Sequence, residues 1–213
     1  MALVIIDYGS GNLRSAEKAF YRASQMIKPV PKIVVSRDPE IILNAERLVL
    51  PGVGSFGDCM HRIKSIDGML ESLVNNVIKK AQPFLGICVG MQLMASEGSE
   101  YGLHKGLDWI KGRVVPIDIP DKKLKIPHMG WNEINKIKTH KLISHISNGT
   151  NFYFVHSYKF VTESNDTSYA YTKYDQPIAA VVGENNYFGT QFHPEKSQTV
   201  GIEFLKSFLE WTP

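Results

Sequence analysis

Apolar and polar positions divide the chain into two halves of different texture. In the first half, short β-branched runs alternate with stretches of helical periodicity. Residues 3–7 and 32–36 read as strands, as do 47–50 and 83–87. Between them, residues 12–21 read as a helix with Asn12 as its N-cap, a long helix covers roughly 60–80, and a shorter one follows over 91–97. Apolar strands separated by helices predict a parallel sheet covered on both faces. In the second half the strands crowd together, at 151–155, 168–172, 178–182 and 187–191, with short polar turns between them. They read as antiparallel additions to the same sheet. A last helix over 199–211 places Ile202, Leu205, Phe208 and Leu209 on one face. With no repeat, low-complexity segment or linker-like stretch, the expectation is one α/β domain over residues 1–213. Its central, mostly parallel sheet is flanked by helices and gains antiparallel strands in the C-terminal half.

Composition narrows the function classes. The 213 residues are 43% hydrophobic and carry a net charge of only +3, so no electrostatic footprint for nucleic acid is present. The basic clusters Lys122-Lys123-Lys125 and Lys136-Lys138-His140-Lys141 read as solvated loops. No apolar stretch reaches the roughly 18 residues needed to span a bilayer. The start, Met-Ala-Leu-Val-Ile-Ile-Asp, lacks the positive region of a signal peptide. The two cysteines, Cys59 and Cys88, make neither a disulfide framework nor a thiolate metal site. A cytoplasmic protein with reduced thiols and no metal is the expectation.

The chemistry centres on Gly86-Ile-Cys88-Val-Gly90, which lies between a predicted strand and a predicted helix. A sharp strand-to-helix turn leaves its central residue strained and exposed at the carboxyl end of the sheet, and close backbone approach explains the flanking glycines. A helix start also favours thiolate. The same pentapeptide reads equally well as a tight turn around a buried core cysteine. A nucleophile needs a base held by a third group. In Gly189-Thr-Gln-Phe-His193-Pro-Glu195 an apolar strand ends in a histidine. Glu195, two residues on in an extended segment, points the same way and can accept the ring N–H. Cys59 has no glycine bracket and reads as structural, while His61, His104, His140 and His145 read as solvated. Gly52-Val53-Gly54-Ser-Phe-Gly57 satisfies a dinucleotide-type glycine spacing, but Pro51 stiffens its entry and the expected acid is misplaced.

These motifs together resemble the class I (triad) glutamine amidotransferases. Within that group the segments 6–13, 50–57, 127–132 and 153–158 are similar to the glutaminase-subunit family of imidazole glycerol phosphate synthases. The resemblance covers nearly the whole chain. It implies a Cys88–His193–Glu195 triad and an oxyanion hole from the backbone N–H groups of Val53, Gly54 and Val89. It also implies L-glutamine held by Gly52, Gln92, Glu100 and the backbone of Ser157 and Tyr158, and a partner interface near Trp131 and Tyr153. No cofactor is implied. The implied partner is a (β/α)8-barrel cyclase that consumes the ammonia. Active-site motifs describe the ammonia source rather than its destination, so a glutaminase feeding another synthase shares them. A stand-alone cysteine hydrolase and a non-catalytic binding module are the competing classes.

Overall fold

The computed structural model describes residues 2–120 and 124–213. Lys122 and Lys123 of the first basic cluster lie outside the described residues. Five strands form the parallel part of a nine-stranded sheet: β1 (Ala2–Ile6), β2 (Lys32–Ser36), β3 (Arg47–Gly52), β4 (Phe84–Cys88) and β13 (Tyr187–Thr190). The antiparallel part comprises β8 (His128–Lys136), β9 (Thr150–His156), β11 (Ser168–Tyr174) and β12 (Gln176–Glu184). The order across the sheet is β2-β1-β3-β4-β13-β12-β11-β8-β9. The expected mixed architecture is therefore present, with one correction: the last predicted strand pairs antiparallel with β12 but runs parallel to β4. That switch is what places its carboxyl end beside that of β4.

A second, four-stranded sheet was not foreseen. It has the order β10-β7-β5-β6, from β10 (Tyr158–Thr162), β7 (Ile110–Pro116), β5 (Ala95–Gly98) and β6 (His104–Lys105). β5 displaces the end of the helix expected over 91–97. The observed α5 is a single turn, Val89–Gln92, because the chain turns at Leu93 to pair Ala95 with Ile110.

Helices cover the sheet: α1 (Leu13–Ser24), α2 (Pro39–Leu43), α3 (Phe56–Ser65), α4 (Met69–Leu73) and α6 (Gln198–Glu210). The single helix expected over 60–80 is two. Gly68, at φ +74°, starts α4 after a break, and α4 runs on into a π-helical turn, Val74–Lys79. Asn12 precedes α1 as expected but caps with its backbone carbonyl, which accepts the Ala16 N–H; its side chain makes no cap bond. Ser55 does cap α3 through its side chain. On α6, Leu205, Phe208 and Leu209 are buried as predicted, joined by Phe204, whereas Ile202 is only partly covered.

Candidate active site

The site is assembled by register. In the parallel sheet Gly52 of β3 pairs with Cys88 of β4, and Thr190 of β13 pairs with Ile87. Three carboxyl ends thus fall in one row, so the loops leaving β3, β4 and β13 meet, as ligand-binding loops do in open α/β sheets.

Cys88 has φ +55° and ψ −112°, a left-handed conformation that a non-glycine residue adopts only under strain. The turn demands it. A Cβ on Gly86 would lie 2.5 Å from the Gly90 carbonyl oxygen, and one on Gly90 would overlap the Leu50 carbonyl. The backbone thus has the strand-to-helix elbow geometry, with Cys88 only 4% exposed at its apex. Its sulfur faces the Gln191 amide at 3.7 Å and the Val155 carbonyl at 3.8 Å.

His193 follows β13 and is held on both sides. Its N–H bonds the Tyr153 carbonyl at 2.9 Å, and its own carbonyl accepts the Ser197 hydroxyl at 2.7 Å. Ser197 Oγ also accepts the Tyr153 N–H at 3.0 Å, tying β9 to the histidine loop. His193 Nδ1 donates to Glu195 Oε1 at 2.8 Å. The expected contact is present, but the geometry behind it differs. Pro194–Lys196 form one 3-10 turn rather than an extended segment, and this turn swings the carboxylate back under the ring. His193 Nε2 is buried without a hydrogen-bond partner among the described residues, and the Cys88 sulfur is close enough to act on the charge of the ring. Burial opposes the imidazolium, but the Cys88 sulfur and the Glu195 carboxylate outweigh it and push the His193 pKa up to about 10.

A cavity of about 270 Å³ opens over the sulfur, lined by Val53, Gly54, Cys88, Val89, Gln92, Glu100, Val155, His156, Ser157, Tyr158, His193 and Lys196. A cavity of about 570 Å³ beside Lys141, His145 and Glu203 is larger but has no cysteine in its lining. The structure gathers most of the predicted residues at this one place. Gly52 lies outside the lining; its missing side chain instead lets Gly90 N approach, 2.5 Å from where a Cβ would stand. Gln92 is buried, and its Nε2 donates to the Tyr158 carbonyl at 3.1 Å and to Gln191 Oε1 at 2.9 Å. Any contact it makes with a ligand is thus left to its carbonyl oxygen. Glu100 accepts the Phe56 N–H at 2.8 Å, capping α3 from the cavity wall. Trp131 and Tyr153 stand opposite each other on β8 and β9, rings 6.1 Å apart, outside the lining. The Lys196 ammonium lies 5.6 Å over the Tyr153 ring.

Sequence reasoning missed Gln191, Ser197 and Lys196, and it left His128 and His156 without a role. Residues 187–191 are all buried, so no inside/outside alternation marked Gln191, and Ser197 gave no signal either. The Val53 carbonyl accepts from Ser10 Oγ and from Cys59 Sγ (3.5 Å), so Cys59 is structural as expected, with burial pushing its thiol pKa up. His140 was expected in solvent. It is half-buried, stacked on Phe188 at 4.2 Å and edge-on to Trp211.

Residues 4–211 match the family model described as glutamine amidotransferase class-I. Two full-length relatives are both named imidazole glycerol phosphate synthase subunit HisH. The protein from Rhodospirillum rubrum is 51% identical, and that from Rhodopseudomonas palustris is 47% identical; each comparison covers 100% of both chains. A crystal structure of a glutamine amidotransferase, 17% identical over 97% of both chains, superposes with a TM-score of 0.71.

Proposed function

The chain belongs to the class-I glutamine amidotransferases, and from that premise we propose that it is the glutaminase subunit of imidazole glycerol phosphate synthase in histidine biosynthesis. It hydrolyses L-glutamine to glutamate and ammonia and hands the ammonia to a cyclase subunit. The observation that carries the reading is the strained Cys88 sulfur facing a His193 ring whose Nδ1 is bound to Glu195 at 2.8 Å.

Cys88 thiolate attacks the side-chain carboxamide carbon of glutamine. Backbone N–H groups of Val53, Gly54 and Val89, residues that line the same cavity as Cys88, receive the oxyanion. His193, raised to about 10, is an imidazolium at neutral pH and donates its Nε2 proton to the departing nitrogen, so ammonia leaves. The neutral ring then takes a proton from water. The hydroxide adds to the γ-glutamyl thioester, the Cys88–carbon bond breaks, and glutamate departs with the thiolate restored. Glutamine lies along the Gln92, Glu100, Ser157 and Tyr158 wall. No cofactor enters the cycle.

Ammonia is protonated in bulk water and then ceases to be a nucleophile, so its consumer must dock over this cavity. Exposed Val53 lines the cavity, exposed Met129 and Trp131 lie on β8 opposite Val155 and Tyr153, and the docked partner is a (β/α)8-barrel cyclase. Among the described residues no helix is long and apolar enough to cross a membrane, and the pair works in the cytoplasm.

Ammonia release from glutamine by the purified chain, with and without the cyclase and its nucleotide ligand, tests the reading. Release stimulated by the cyclase is expected. Stimulation only by a different synthase would redirect the ammonia, and partner-free peptide hydrolysis would replace the assignment with a cysteine hydrolase.

A further inference from the structure

We propose that His128 and His156 are positioning residues for the glutamine pocket: a hydrogen-bond relay of fixed polarity runs from the Asn132 amide through both rings to the Tyr158 carbonyl and holds the Ser157–Tyr158 wall. The proposal rests on the glutaminase reading and adds to it two residues outside the triad, of which His156 itself borders the cavity.

The polarity follows from one end. A carbonyl oxygen only accepts, so His156 Nδ1, 2.8 Å from the Tyr158 oxygen, carries the hydrogen. In the neutral ring His156 Nε2 is then an acceptor, and His128 Nδ1, 2.9 Å away, donates to it. His128 Nε2 in turn accepts from Asn132 Nδ2 at 3.1 Å. The orientation of the Asn132 amide is set independently. Its Oδ1 accepts the Glu133 N–H at 2.8 Å, and its Nδ2 also donates to the Lys173 carbonyl at 3.0 Å. All three links hold together only when both imidazoles are neutral and protonated at Nδ1, the tautomer that a free histidine side chain favours less.

The surroundings keep them so. Both rings are buried, and His128 is stacked between Tyr174 at 4.0 Å and Phe154 at 4.9 Å. The titratable groups facing them are Tyr174 beside His128, His193 beside His156, and each other. Burial holds His128 at about 4 and His156 at about 3. At the far end the Tyr158 carbonyl accepts a second N–H, from Gln92, and the Ser157 carbonyl accepts the Ile117 N–H at 2.9 Å. The peptide planes of this dipeptide, which borders the cavity, are therefore set by side chains and a neighbouring strand.

The test pairs kinetics of the complex with NMR of the full chain. Asparagine at position 156 keeps an N–H near Nδ1, whereas phenylalanine keeps only the ring volume. His156→Phe is expected to raise KM for glutamine about 10-fold with kcat within about 3-fold, and His156→Asn to stay within about 3-fold in both. His128→Phe should fall between them. In ¹⁵N-histidine-labelled protein at neutral pH, both rings should show the Nδ1–H tautomer. Equal KM in all variants, equal loss in the asparagine and phenylalanine variants, or Nε2–H tautomers would each overturn the relay. If His156→Phe does not fold, the wild-type tautomers still decide. A wild-type complex that releases no ammonia would sink the glutamine reading instead, and the substrate-free tautomer measurement distinguishes the two failures.

Discussion

Cys88 and His193 share one electrostatic arrangement, and it predicts both activity and pH behaviour. Cys88→Ser should lower ammonia release by the complex on the order of 10³-fold or more while leaving the melting temperature nearly unchanged. Glu195→Gln keeps the shape but removes the charge behind the imidazolium, so kcat should fall by about 10²–10⁴-fold. The folded His193 keeps its proton up to about 10, whereas in the unfolded chain it is lost near the ordinary histidine value of 6.5. Over that window the folded state binds more protons, so this contribution is whole below 6.5 and is lost as pH rises toward 10. His128 and His156 have the opposite sign. Their folded values of about 4 and 3 lie below 6.5, so their contribution is present at neutral pH and is lost on acidification through that range. Unfolding free energies from denaturant titrations should thus fall on both sides, by up to about 1.4 kcal/mol per pH unit per group. Cys88→Ala should flatten the alkaline side and His156→Phe the acid side.

The strand-to-helix turn and the histidine loop are where a single added or removed atom matters most. Gly90→Ala would drive a Cβ into the Leu50 carbonyl and should destabilise by more than about 3 kcal/mol, read as a collapsed melting temperature or insoluble protein. Ser197→Ala removes the hydroxyl that joins Tyr153 to the His193 carbonyl. It should cost about 1–3 kcal/mol in denaturant unfolding, with a matching loss of kcat. The strands of the first half were legible because parallel strands buried on both faces must be continuously apolar. The helix expected over 60–80 was not, since helical periodicity continues in register across a break that one positive-φ glycine makes. In the small sheet β5, β6 and β10 are too short to stand out from polar loops, whereas β7, seven residues with alternating burial, carried a strand signal that was not used.

At the scale of the whole molecule, exposed apolar side chains at Val53 in the cavity lining and at Met129 and Trp131 on β8 predict a docking face on this side. Trp131→Ala should weaken cyclase binding by about 10–100-fold, measured by sedimentation or titration calorimetry. The uncomplexed chain's melting temperature should stay the same, because that ring is half-exposed.

Local chemistry alone marked Cys88, His193 and Glu195. An elbow needs small neighbours, a base needs an orienting acid, and both requirements act over a few adjacent positions. The same holds for the alternating strand and helix texture, which follows from burying backbone polar groups in regular pairs. Long-range pairing settled the remainder. The parallel alignment of β13 with β4 brings the histidine to the cysteine, a 3-10 turn rather than extended chain delivers the carboxylate, and β8 against β9 creates the histidine relay. Each of these depends on register between distant segments, and register is selected by the total burial of the sheet, a quantity that no short stretch of residues contains.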